Sequence, residues 1–196
     1  EIIARQAEHM TSLVNDLLDV SRVTRGLVTM TREALDMKAV VHEAVEQVRP
    51  LIDARRHALC CEIASESLRV DGDRTRLIQV LSNTLNNAAK YTAPGGRLRL
   101  DARLEAGCVR IAVRDNGQGI DPPILPYIFD LFIQAERTPD RSQGGLGLGL
   151  ALVKSLAVLH GGRVEAHSEG LGKGSEFVVY LPCLAEAPAS GAPRLD

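Results

Sequence analysis

At 196 residues, with 45% hydrophobic and 24% charged positions, the chain can bury one good core. A formal net charge of −2, 3% aromatic residues and no Trp argue against a nucleic-acid partner and against a base-stacking platform. No apolar run approaches the roughly 18 to 20 residues of a membrane span, so no membrane contact by this segment is expected. No signal peptide opens the chain, and because it begins at Glu rather than Met it is expected to be an excerpt of a longer protein. The four cysteines show no CxxC or Cys/His spacing, which predicts small apolar residues in a reducing, cytoplasmic setting.

In chain order, Ile3, Gln6, Met10, Leu13, Leu17 and Val20 alternate spacings of three and four, a heptad seam that predicts one long helix over residues 1–26 in need of a partner. Residues 27–35 read as a connector. Asp36 is a helix N-cap, and Val40, Val41, Ala44, Val45, Val48, Leu51 and Ile52 form the buried stripe of a helix running to about Arg55. Strands are expected at residues 59–64 and 68–70. Asp73 caps the next helix, whose core stripe is Leu77, Leu81, Leu85 and Ala88. Strands at 97–104 and 109–114 flank a hairpin signal, Glu105-Ala106-Gly107. An apolar helix over 148–160 follows a glycine run, a last hairpin covers 163–168 and 176–181, and residues 185–196, rich in Ala and Pro, read as a flexible tail. This order predicts an α+β fold: a two-layer sandwich of one mixed sheet covered by about three helices, in a body spanning 36–184 and preceded by the N-terminal helix.

Three features carry chemistry. Asn83, Asn87 and Lys90 share one face of their helix; a solvated polar face is the bland account, but Asn is a poor helix former and Asn86 adds a third. A side-chain amide oxygen suits Mg²⁺ shared with substrate phosphates, and Lys90 supplies a point charge. Asp115, at the end of a strand and followed by Gly117, Gly119 and Ile120, can accept a hydrogen bond from a base amine while backbone passes close to the ring. The run Gly145-Leu146-Gly147-Leu148-Gly149 opens a helix whose free N–H groups and dipole favour an anion, most simply a phosphate chain. Between the last two lies a lid-like segment, residues 121–144, in which Phe129 and Phe132 either pin one end of a lid or fill the core.

Together with Tyr91-Thr92, Phe129-Asp130-Leu131-Phe132 and Gly172-x-Gly174-Ser175-x-Phe177, these motifs resemble, in order, the N, G1, F, G2 and G3 boxes of sensor histidine kinases of two-component systems, within the GHKL ATPase/kinase superfamily. The resemblance implies a Bergerat-type ATP-binding fold. It also implies that residues 1–26 are the second helix of a dimerisation and phosphotransfer domain, part of a homodimer. It implies ATP and Mg²⁺ as ligands, Asn87 as metal residue helped by Asn83, and Lys90 with the glycine run on the phosphates. Ser175 takes the place of a hydroxyl that supports the adenine-binding Asp115, and Tyr91, Phe129 and Phe132 line the nucleotide. Partners implied are a phosphotransfer helix and a response-regulator receiver domain. None of His9, His42, His57, His160 and His167 matches the phospho-acceptor pattern, so each reads as structural, His160 favoured as a cation at its helix end. The alternatives are an ATP-driven clamp of the same superfamily and an ATP-binding pseudokinase. In clamp relatives a Glu stands where this chain has Asn83, and an amide has no basic form at neutral pH to activate water.

Overall fold

The computed structural model describes Leu17, Leu18 and residues 29–133 and 147–184. Leu17 and Leu18 are helical; the rest of the expected heptad helix, Gly145, Leu146, the second half of the lid-like segment and the tail lie outside the described residues. The elements are β1 (Glu33–Asp36), α1 (Met37–Ala54), β2 (Ala58–Ile63), β3 (Arg69–Gly72), α2 (Arg74–Tyr91), β4 (Arg97–Glu105), β5 (Cys108–Asp115), α3 (Gly149–Leu159), β6 (Arg163–His167) and β7 (Ser175–Pro182).

Both acidic caps act as read. Asp36 accepts from the backbone N–H of Lys38 and Asp73 from that of Arg76, each satisfying a first-turn donor that the helix itself cannot. The five long strands form one sheet in the order β2-β4-β5-β7-β6, with β2 parallel to β4 and the other neighbours antiparallel. Alternation along the strands sorts the two faces. Leu98, Leu100, Val109, Ile111, Val113, Val179 and Leu181 join Val40, Val41, Ala44, Leu77, Leu81, Leu85, Leu152 and Leu156 in a single core between sheet and helices. The opposite face carries charge in place of a second helical layer. Arg110 reaches Asp101 at 2.7 Å and Glu176 at 3.3 Å, and Arg114 reaches Glu176 at 3.2 Å.

The expectations for the connector, the cysteines and His160 need correction. The connector ends in a strand: β1 pairs antiparallel with β3 from Glu33↔Gly72 to Asp36↔Arg69. With only Leu35 of its four residues buried, β1 has too short an alternation to register as a strand in sequence. Cys60 and Cys61 are exposed and do not act as buried apolar residues, because β2 is an edge strand; all four cysteines are free.

His160, 4% exposed, closes α3 and is not the cation expected there. Its Nε2 accepts the Asp73 N–H at 3.0 Å, and its Nδ1 lies 2.7 Å from the Leu156 carbonyl. A carbonyl only accepts, so the proton sits on Nδ1 and the ring is neutral. Burial pushes the pKa of this imidazole below its ordinary value, outweighing the hydrogen bond to Leu156 and the nearby carboxylates. The unfolded chain therefore takes up a proton, as pH falls below about 6.5, that the fold refuses. Stability should drop by up to about 1.4 kcal/mol per pH unit from there to the depressed folded value, and not at all above it. His160→Gln should flatten that slope when urea midpoints are compared at about pH 7.5 and about pH 5.5. Equal slopes in both proteins would remove His160 as its source.

Candidate nucleotide site

Asp115 is the last residue of β5, 6% exposed, and both of its carboxylate oxygens are held. The Gly117 N–H donates to Oδ1 at 2.8 Å, and the Ser175 hydroxyl, from the strand register opposite, donates to Oδ2 at 2.5 Å. Each oxygen of a carboxylate has a second lone pair, so Asp115 arrives oriented and keeps acceptor capacity. Gly117 is required by crowding: a Cβ would run into the Tyr91 carbonyl and stand 2.8 Å from both Asp115 Oδ1 and Thr92 Oγ1. Gly119 is required by its backbone, with φ at +69° and the Gly170 carbonyl where a side chain would start. Ile120 is buried beneath the turn.

A loop over residues 168–174 closes on this turn. The Ser168 hydroxyl accepts from the Ile120 N–H at 2.9 Å and donates to Gly174 O at 2.8 Å. Gly172 N–H donates to Gln118 O at 2.7 Å, and Gly174 N–H to Gly117 O at 3.2 Å. Sequence reasoning missed Ser168 because nothing in its local pattern distinguishes a serine after a strand.

α2 brings Asn83, Asn87 and Lys90 along the side facing the head of α3. A Cβ on Gly149, the first residue of α3, would meet Asn87 Nδ2 at 4.0 Å and nothing nearer. Asn83 Nδ2 is buried with no hydrogen-bond partner among the described residues. An orphaned amide at such a place is free to donate to an acceptor that no described residue supplies. Lys90 is half-buried, its Nζ 5.5 Å from the centroid of the Tyr91 ring, and Tyr91 is 41% exposed. Burial, then the neighbouring Arg55 charge, holds the Lys90 ammonium below the usual lysine range. Among the described residues no group of three His, Cys, Asp or Glu side chains could hold a metal.

The two phenylalanines separate. Phe129 packs edge-to-face on Phe177, ring centroids 6.2 Å apart, fixing one end of the lid-like segment to the sheet. Phe132 is 62% exposed with φ at +64°, so core filling fails for it. Gly147 lies directly against this residue, a Cβ there meeting the Phe132 backbone and the Ile133 carbonyl. Leu148 is buried. His42 and His167 are exposed, His57 is buried against the end of α2, and His9 lies outside the described residues.

The profile of the family described as histidine kinase-, DNA gyrase B-, and HSP90-like ATPase matches residues 72–185. The alginate biosynthesis sensor protein KinB of Pseudomonas aeruginosa is 35% identical over 182 residues, covering 93% of this chain and 30% of that protein. The sensor histidine kinase TrcS of Mycobacterium tuberculosis is 38% identical over 196 aligned residues, covering 97% of this chain and 37% of that protein. Each of these relatives is thus much longer than the chain. Full-length ShkA in complex with AMPPNP superposes with a TM-score of 0.80 at 32% identity, covering 94% of this chain and 38% of that one. The nucleotide-free catalytic domain of the histidine kinase ThkA gives 0.69 at 26% identity, covering 79% and 97%. The chain belongs to the histidine kinase-, DNA gyrase B-, and HSP90-like ATPase family, as an ATP-binding catalytic domain of the histidine kinase type.

Proposed function

We propose that this chain transfers the γ-phosphoryl group of ATP to a histidine on a phosphotransfer helix supplied from outside residues 29–184, for relay to an aspartate of a response-regulator receiver domain. Residues 1–26 would be the second helix of the dimerisation and phosphotransfer domain, 27–35 the connector, 36–184 the catalytic body and 185–196 a tail. The parent protein would work as a homodimer with this part in the cytoplasm. The observation that carries the reading is the meeting of two halves of one site. A carboxylate pre-oriented by Ser175 and Gly117 stands at one end, and Asn87 beside the opening of the glycine-started helix at the other.

Asp115 would accept from the adenine amine, with Gly117, Gly119 and Ile120 shaping the floor and Tyr91 and Phe129 the walls. Lys90, the Asn83 amide and the backbone of the 145–149 run would hold the phosphates. Asn87 would hold a Mg²⁺ ion, whose charge would offset that of the triphosphate. In the transfer, the acceptor imidazole nitrogen forms a bond to the γ-phosphorus as the bond to the bridging oxygen breaks and ADP leaves. Such a step asks the protein mostly for positioning and charge stabilisation. An ATPase clamp would need a base for water, and the amide of Asn83 offers none.

Asn87→Ala tests the metal role. It should weaken binding of Mg-ATP at least about tenfold while changing metal-free ATP binding much less, since only the bridged contact is lost. Calorimetric titrations with magnesium and with chelator measure both. A parallel fall would reassign Asn87 to the base or to the fold.

A further inference from the structure

An α-helix leaves its last carbonyls without partners inside the helix. In α2 those carbonyls belong to the turn that bears Lys90 and Tyr91, and donors from two other segments meet them. Arg55 Nη1 donates to Lys90 O at 3.1 Å and to Thr92 O at 3.4 Å. His57 Nε2 stands 2.9 Å from Ala89 O, and since the carbonyl can only accept, that nitrogen carries the proton. The fourth, Tyr91 O, accepts from the Gln118 N–H at 3.0 Å, which comes from the Asp115 turn. Return bonds run from Gly95 N–H to Arg55 O and from Ala58 N–H to Gly96 O, both at 2.9 Å. The chain reaches this arrangement by reversing after α1 through Arg56, in the left-handed region at φ +55°.

We propose that Arg55 is a positioning residue of the nucleotide site. Through the carbonyls of Lys90 and Thr92 it fixes the turn that carries Lys90, and with it the place from which that residue's ammonium meets the bound phosphates. The inference rests on the nucleotide reading above. The backbone of Lys90 and Tyr91 is held at this turn by the donors that meet Ala89, Lys90, Tyr91 and Thr92, which helps set their distance from Asp115. A guanidinium at a helix C-terminus is also favoured by the helix dipole. Burial, and after it the Arg55 charge, lowers the Lys90 pKa, so the two side chains sense each other.

The test is a double-mutant cycle on the 196-residue chain, reading Mg-ATP affinity by calorimetry and folding by thermal melts. Arg55→Met should weaken Mg-ATP about tenfold, the scale of one or two lost hydrogen bonds, while the cooperative melt is kept. In a Lys90→Met background the same change should weaken it less than about twofold, because the residue through which Arg55 acts is gone. Arg55→Lys, which keeps charge but not the fork, should fall between and carries the cycle if Arg55→Met does not fold. An affinity unchanged by Arg55→Met, or an equal loss in both backgrounds, overturns the proposal. Absence of ATP binding by the unaltered chain would instead overturn the nucleotide reading on which it rests.

Discussion

Asp115→Asn is expected to remove most of the chain's affinity for ATP while leaving its fold intact. The Gly117 N–H and the Ser175 hydroxyl hold the two carboxylate oxygens from behind, so an asparagine would be held in the same plane. With its oxygen toward Gly117 N–H, its NH₂ would replace Oδ2, and the edge offered to an adenine amine would present a donor to a donor. Losing a charge-assisted acceptor and gaining a repulsive contact costs roughly 2 to 4 kcal/mol, about 30- to 1000-fold in affinity. The Ser175 hydroxyl can rotate to accept from the new amide, which is why the melt should change little. Calorimetric titration of ATP into both proteins decides it, and equal affinities would take Asp115 out of the site.

Much of the fold was legible because its signals are local. Asp36 and Asp73 announce their helices, the stripes of α1 and α2 are buried as read apart from half-buried Leu51, and Glu105-Ala106-Gly107 does turn the β4–β5 hairpin, with Ala106 and Gly107 both at positive φ. The site was legible in a different way. Asp115 and the glycine runs stand out chemically, but the partnership of Ser175 with Asp115 came from resemblance to a family, since it spans two strands. What stayed hidden depends on partners far along the chain. Arg55 and His57 look like an ordinary helix exit until α2 ends beside them. His160 looks like a favourable cation until its ring is found buried and accepting from Asp73 N–H, 87 residues away in sequence. Phe132 has the residue type of a core position, and only its backbone geometry and exposure say otherwise.

On the proposed reading, the bound γ-phosphate is destined for a histidine. No histidine among the described residues matches an acceptor: His57 and His160 are buried in backbone hydrogen bonds, and His42 and His167 lie on the surface of α1 and β6 without the flanking pattern of the phospho-acceptor. Asn83 stands where a water-activating base would be needed. The chain alone should therefore bind ATP, label itself poorly and hydrolyse slowly. The most direct measurement is to incubate it with γ-labelled ATP and magnesium, with and without a separate fragment carrying a histidine-bearing phosphotransfer helix. Label should appear on the added fragment, stable to alkali and lost in acid, as a phosphoramidate should be. Rapid steady ATP hydrolysis by the chain with no label on the fragment would contradict the proposed reading and favour an ATP-driven clamp.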